Sequence, residues 1–231
     1  MGPTCLLKRI SLVAVLMLTF LSLEADAADY FPLQVGNRWT YSPSYGDKGD
    51  RVDTIVGTET VNGTFTYIWN RQEAPDDNYN EKRWYAKDDS YVKFYRIWGN
   101  EGLDPPFNPI SPWRVFKLNP IVGDTWISEA DFGAFDFKTT YYVESTTDDV
   151  TVPAGTFSNC VRVRELNEMT LGNQTEYEYE KHWYAPSVGP VIYRDYAASW
   201  SSVNFSQELV SYTIIKSRQT MPWIPLLLLE D

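Results

Sequence analysis

Two segments in the second half of the chain alternate between apolar and charged positions. Residues 160–164 read CVRVR and residues 176–180 read EYEYE. Successive side chains of a strand point to opposite faces, so a period of two predicts two half-buried strands. Gly172 and Asn173 lie in the connection between them. We predict a hairpin whose arginines face the glutamates across strands, forming a solvent-exposed, charge-paired face rather than a functional row of acids.

A further hairpin is predicted in each half of the chain. Turn residues 87–90 separate the β-rich segments 84–86 and 91–98, and turn residues 186–190 separate 183–185 from 191–196. No stretch beyond residue 27 shows a sustained helical period, and Val, Thr, Tyr, Phe and Trp dominate. The predicted fold class is all-β and antiparallel.

Four sequence blocks recur in the same order, which indicates an internal duplication. The pairs are VGNRW at 35–39 with VGDTW at 122–126, VNGTF at 61–65 with PAGTF at 153–157, EKRWYA at 81–86 with EKHWYA at 180–185, and YR at 95–96 with YR at 193–194. We expect a curved sheet or barrel built from two duplicated meander halves, in preference to two separate domains, because pairing covers strand edges.

The expected organisation begins with a secretory signal peptide at 1–27, which has basic residues, a short apolar run and an A-x-A site. A first β repeat at 28–100 and a second at 121–217 flank a proline-rich connector at 101–120. Because proline cannot donate to a ladder, we expect the connector to be extended rather than a strand, and to lie against the sheet. The uncharged tail within 218–231 either folds back over the sheet or inserts into a partner or membrane surface.

The charge and the cysteine content exclude nucleic-acid binding and an intramolecular disulfide. The 20 basic and 31 acidic residues give a net charge of -11, which excludes a nucleic-acid partner. Signal cleavage would leave Cys160 as the only cysteine, so no intramolecular disulfide can form. We expect Cys160 to be buried rather than paired with another molecule. No transmembrane span is expected after cleavage, and the expected location is secreted or periplasmic.

The motif VPAGTF at 152–157, followed by WYAPSVG at 183–189, resembles a broad group of secreted bacterial proteins of unknown function. Their usual second motif is WYAPGVG, and this chain has Ser187 where the group has the first glycine of that motif. It also has Pro190 directly after the motif, where an aliphatic residue is usual. These proteins are similar in outline to periplasmic lipoprotein carriers built on a curved antiparallel sheet. The resemblance implies an apolar groove and names no catalytic residue.

Catalytic chemistry is hard to assemble from this sequence. The only histidine, His182, corresponds to Arg83 in the first half, so the position does not require a general base. One histidine and one cysteine cannot supply a typical structural zinc site. Calcium stays open, since 76–81 and 148–149 offer hard oxygen ligands without EF-hand spacing. No cofactor motif occurs, and the identity of any metal is unknown.

Nine Trp and sixteen Tyr residues suit a core, a sugar platform or a protein interface. We take Tyr91, Tyr95, Trp113 and Trp223 as candidate residues of a ligand or partner surface. The leading interpretation is an exported, non-catalytic β module that binds an apolar ligand or an envelope protein. The alternative is a carbohydrate-binding or envelope structural protein that uses exposed Trp and Tyr, and a secreted hydrolase comes third.

Overall fold

The computed structural model describes residues 28–45, 49–73, 79–99, 103–132 and 135–215. The predicted signal peptide at 1–27, the tail at 218–231 and the candidate residue Trp223 lie outside these ranges. The described chain forms thirteen strands, which are β1 Arg38–Tyr45, β2 Arg51–Val61, β3 Thr64–Glu73, β4 Tyr79–Lys87, β5 Tyr91–Gly99, β6 Leu103–Phe107, β7 Trp113–Lys117, β8 Thr125–Asp131, β9 Asp136–Val152, β10 Gly155–Leu171, β11 Gln174–Ala185, β12 Gly189–Tyr196 and β13 Val203–Thr213. A single 3-10 turn at Ala198–Trp200 interrupts the strands.

All strands belong to one antiparallel sheet with the order β6-β5-β4-β3-β2-β1-β13-β12-β11-β10-β9-β8, and β7 pairs with β5. Each half is therefore a meander, and the ladder between β1 and β13 joins the halves into one curved sheet. The predicted all-β antiparallel class is confirmed. No helix within the described residues has the length and hydrophobicity needed to cross a membrane.

Tight turns form where the sequence supplies residues that accept positive φ. Asn62 and Gly63 connect β2 to β3 with φ values of 49° and 81°. Positive φ at both central residues is the requirement of a type I′ turn, which matches the twist of the flanking strands. Asn-Gly is the sequence most suited to that turn, so local chemistry alone determines this hairpin.

The hairpin predicted from the two alternating segments forms as β10 and β11, but its cross-strand pairing differs from the prediction. Arg162 lies opposite Trp183, and Arg164 lies opposite Lys181. Arg162 pairs instead with carboxylates of β9, at 3.1 Å from both Glu144 and Asp148. The expectation that the arginines face the glutamates of β11 is wrong, because alternation specifies the faces of a strand but not its register.

The proline-rich segment contains two short strands, so the expectation that it is not a strand is wrong. β6 includes Pro105 and Pro106 at the edge of the sheet, where a missing N–H costs no ladder bond. β7 pairs with β5 and buries Trp113 and Phe116. The segment thus lies against the sheet as expected, and it contributes to the core.

The sheet curves so that β7, near one end of the sheet, lies beside β8 at the other end. Side chains bridge this seam. The Arg114 N–H donates to Ser128 Oγ at 2.9 Å, and Ser128 Oγ donates to the Arg114 carbonyl at 3.0 Å. Trp126 Nε1 donates to the same carbonyl at 3.2 Å. These contacts hold the two ends of the sheet together, so that its concave face surrounds an interior.

The segment before β1 inserts an aromatic ring into this interior. Phe31 is buried, and its ring centroid lies 5.3 Å from those of Trp69 and Tyr85 in the first half. It also lies 6.2 Å from the ring of Tyr184 in the second half. Lys87 Nζ donates to Asp29 Oδ1 at 2.7 Å and ties the segment to β4. Phe31 therefore connects the two halves at one end of the interior.

Equivalent contacts recur in the two halves. Trp84 Nε1 on β4 donates to Glu59 at 2.8 Å, and Trp183 Nε1 on β11 donates to Asp148 at 3.0 Å. The fourth block departs from this equivalence, because Trp84 lies opposite Arg96 whereas Trp183 lies opposite Ile192. The duplication stays a prediction, which these contacts support in the third block but not in the fourth.

Candidate functional site

The concave face of the sheet encloses a cavity of about 570 Å³. Both halves contribute to its wall. Aromatic rings, including those of Phe31, Trp69 and Trp113, share the wall with charged side chains. This lining differs from the apolar groove that the resemblance implies, since a purely apolar ligand would displace water from the charged groups without replacing its hydrogen bonds.

Three arginines of the first half form what we call the arginine cluster, namely Arg51, Arg71 and Arg83. The Asp53 carboxylate lies between Arg51 and Arg71, with both Nε atoms 3.4 Å from its Oδ1. Arg83 forms a two-point ion pair with Glu81, at 2.8 Å from Nε to Oε1 and 3.0 Å from Nη2 to Oε2. Arg51 is buried and the other two arginines are half-buried, and each positive charge of the cluster lies next to a carboxylate, which charges removed from water require.

In the second half, Glu165, Glu180 and His182 form what we call the Glu–His cluster. His182 Nε2 lies 3.5 Å from Glu165 Oε1 and 3.3 Å from Glu180 Oε2. Tyr193 donates a hydrogen bond of 2.9 Å to the other oxygen of Glu180. The exposed fractions of the Glu165, Glu180 and His182 side chains are 12%, 18% and 20%, so all three can be reached from the cavity.

The protonation of the Glu–His cluster follows from its burial and charge. Burial raises the pKa of the Glu165 carboxyl to about 7, His182 opposes that rise, and Glu180 adds to it. Burial also opposes ionisation of Glu180, but hydrogen bonds from His182 and Tyr193 outweigh it and lower the pKa. The His182 pKa is raised, because the two carboxylates outweigh the effect of its burial.

The two clusters occupy corresponding positions in the two meanders. Glu165 lies directly opposite Glu180 in the β10–β11 ladder, and Arg71 lies directly opposite Glu81 in the β3–β4 ladder. The first half thus has an attractive pair where the second half has two like charges. Like charges directly opposite each other are destabilising, so the second half departs from the simplest stable arrangement.

Of the candidate residues from the sequence, Trp113 lies in the cavity wall. Its ring stacks on Phe94 with centroids 5.7 Å apart, and its Nε1 donates to the Tyr141 hydroxyl at 2.9 Å. Tyr91 packs on Trp126 at 6.1 Å and is not among the wall residues, nor is Tyr95. A partner-binding role for Tyr91 and Tyr95 stays a prediction.

A β-bulge explains why Tyr95 is not in the wall. Tyr85 lies opposite Phe94 and Trp84 lies opposite Arg96, which leaves Tyr95 as the extra residue. Phe94 and the residue three positions later, Ile97, therefore both face the cavity. The sequence shows no clear signal for this change of face.

Sequence reasoning missed most of the charged cavity residues. Glu180 was part of the row expected to face solvent. The structure leaves Glu176 and Glu178 exposed, with Glu178 also bordering the cavity, and places Glu180 inside it. The available signal was the correspondence between His182 and Arg83, two polar residues that follow the same glutamate. That correspondence identifies a shared interior position, although it does not reveal the pairing with Glu165.

Two of the candidate calcium ligands have other partners. Asp148 accepts a hydrogen bond from Trp183 and pairs with Arg162, and Glu81 pairs with Arg83. Residues 76–78 lie outside the described ranges. Calcium binding stays an untested expectation.

Two solved structures resemble this fold. The first is a Bacteroides fragilis protein described as a proposed exported protein with a YmcC-like fold, with a TM-score of 0.51 and 16% identity over 80% of this chain and 99% of that chain. The second is a proposed lipoprotein of Parabacteroides distasonis, with a TM-score of 0.51 and 15% identity over 81% of this chain and 100% of that chain. Neither a family model nor a curated protein matches this sequence. At these identities, the similarity demonstrates a shared fold.

Proposed function

We propose that this protein is an exported, non-catalytic binding protein that holds a small amphipathic ligand inside its curved sheet. The cavity of about 570 Å³ is the observation that carries the proposal. Ligand sites typically have volumes of about 300–1,000 Å³, with a mostly apolar wall and a few convergent polar groups. The signal-like sequence at 1–27 and the descriptions of the two similar structures as exported protein and lipoprotein support export.

The chemistry of the wall favours an amphipathic ligand over a purely apolar one. Aromatic rings such as Trp69 and Trp113 offer apolar area, while Arg71 and Glu165 present charge to the same space. A ligand that joins an aromatic or aliphatic body to a polar group satisfies both parts of the wall. This narrows the apolar ligand expected from the sequence.

The alternative of a carbohydrate platform receives less support. Every Trp side chain within the described residues is buried or half-buried, so no exposed row of Trp is available there for stacking on sugars. Catalysis also receives little support, since the polar partners of His182 are the carboxylates of Glu165 and Glu180. Binding is the function that the cavity supports best.

A dye-binding experiment tests the proposal. The probe is 1-anilinonaphthalene-8-sulfonate, whose rings suit the aromatic wall and whose sulfonate suits the arginine cluster. Val115 lines the cavity and Val56 is an exposed residue of β2. Val115→Trp should fill part of the cavity and weaken dye binding by at least about tenfold, which corresponds to 1.4 kcal/mol, whereas Val56→Trp should leave it unchanged.

The readout is dye fluorescence together with quenching of tryptophan emission, measured in chelator on variants with native circular dichroism. Saturable binding by the wild type that Val115→Trp weakens supports the proposal. Equal binding by wild type and Val115→Trp, or no saturable binding by the wild type, would overturn it.

A further inference from the structure

The geometry of the Glu–His cluster is unusual for a set of hydrogen bonds. A single nitrogen, His182 Nε2, faces one oxygen of Glu165 at 3.5 Å and one oxygen of Glu180 at 3.3 Å. Good N–H···O bonds measure about 2.7–3.2 Å, so an N–H shared between these two acceptors makes a bifurcated bond with two long, weak branches. Hydrogen bonding alone therefore accounts poorly for this arrangement.

The same distances suit three ligands of one metal ion. Ligand atoms about 2.1 Å from a tetrahedral metal ion lie about 3.4 Å from one another. One donor atom from each of the three side chains can be chosen so that all lie within 4.8 Å of one another. An ion placed between them would need only small side-chain movements.

Charge also favours a cation at this position. Glu165 and Glu180 are direct cross-strand neighbours, and when both are ionised a protonated imidazole neutralises only one of the two carboxylates. The nearby Arg83 is already held by both oxygens of Glu81. A divalent ion with a neutral imidazole would balance the two carboxylates, which burial otherwise disfavours.

The surroundings of the cluster resemble the outer shell of a metal site. Tyr193 donates at 2.9 Å to Glu180 Oε1, the oxygen that His182 does not contact. Hydrogen bonds of this kind orient a ligating carboxylate and stabilise its geometry. The cavity beside the cluster leaves space for water or a ligand group to complete the coordination.

We propose that Glu165, Glu180 and His182 bind a divalent transition-metal ion of the Zn²⁺ class at the cavity wall. Imidazole and carboxylate together suit Zn²⁺ and related ions, whereas Ca²⁺ and Mg²⁺ prefer oxygen ligands alone. The site goes beyond the proposed ligand-binding function, because three protein side chains and water can hold the ion without any organic ligand.

The single histidine of the chain makes the test specific. Chelator-treated protein without a histidine tag is titrated with Zn²⁺ alone while the imidazole NMR signals and the binding heat are recorded. The wild type should bind one ion per chain and shift the His182 signals, and Ca²⁺ should leave those signals in place.

Variants separate the site from nonspecific binding. Glu165→Gln should weaken Zn²⁺ binding by at least about tenfold, and Glu176→Gln, at an exposed position of β11 outside the cavity wall, should leave it unchanged. His182→Arg should abolish the site yet fold, because Arg83 already occupies the corresponding position beside Glu81. Unchanged binding by Glu165→Gln and His182→Arg, or no response of His182 to Zn²⁺, would overturn the site. Dye binding in chelator is a separate measurement, so failure of this site leaves the proposed function standing.

Discussion

Truncating Phe31 should be among the most damaging single changes, because this ring joins the two halves of the sheet. Its side chain is 6% exposed. Its ring centroid lies within 6.4 Å of those of Trp69, Tyr85, Phe116 and Tyr184. Phe31→Ala removes these contacts and leaves a hole that four large rings on two meanders cannot readily fill.

The expected loss follows from measured core truncations. Burying a large apolar side chain contributes about 1.5–3 kcal/mol, and the unfilled cavity raises the cost of Phe→Ala to about 3–5 kcal/mol. Each kcal/mol shifts the melting temperature of a domain of 150–250 residues by about 2–4 °C. Phe31→Ala should therefore lower the melting temperature by about 6–20 °C.

Urea unfolding and calorimetry on matched variants measure this effect. Phe65→Ala is the control, because it is the same truncation at a side chain that is 58% exposed. It should change the free energy of unfolding by no more than about 1 kcal/mol. A Phe31→Ala protein as stable as Phe65→Ala would refute the view that the segment before β1 packs between the halves.

Three further predictions concern single groups away from the cavity. Cys160 is fully buried, and burial together with Asp148 and Asp149 raises the pKa of its thiol to about 11. A thiol reagent at pH 7 should therefore label Cys160 slowly in the folded protein and quickly in urea. Fast labelling of the folded protein would contradict the burial. Ser187 adopts a φ of 61°, and Ser187→Gly should raise the free energy of unfolding by up to about 1 kcal/mol in urea titrations, whereas a loss would show that its φ carries no strain. Burial opposes ionisation of Asp124, but hydrogen bonds from Ile121 N and Lys117 outweigh burial and lower the pKa of its carboxyl. The stability that the Asp124 carboxylate contributes is therefore present above about pH 4, and it is lost as pH falls through the pKa of Asp124 in the folded protein. The difference in stability between the wild type and Asp124→Asn should accordingly shrink between about pH 5 and pH 2, and a constant difference would contradict this origin.

Local patterns located five of the thirteen strands, namely β4, β5, β10, β11 and β12. The alternation in 160–164 and 176–180 identified parts of β10 and β11. Turn residues located the end of β4, the start of β5 and the end of β11 to within one residue, while β12 begins two residues earlier than predicted. These features depend on neighbouring residues, so the sequence contains them directly. The prolines of 101–120 were misleading, since an edge strand tolerates proline as an irregular connector does.

The candidate site was less predictable, because it depends on register. A strand pattern shows that Glu180 and His182 share a face, but the partner of Glu180 depends on how β10 and β11 align. The bulge at Tyr95 likewise reverses which residues of β5 face the cavity, and no clear signal in the sequence indicates it. The pairing of strands that are far apart in sequence brings both halves around one cavity, and no local sequence pattern predicts it.

Native mass spectrometry of the protein purified from the cells that produce it tests the central claim most directly. The wild type should have a mass above that of the chain and of any bound metal ion, and denaturation should release the excess as an organic molecule. Val115→Trp should reduce that excess and Val56→Trp should retain it, because only Val115 lines the cavity. A wild type at the mass of the chain alone, or an equal excess on Val115→Trp, would contradict a ligand held inside the sheet.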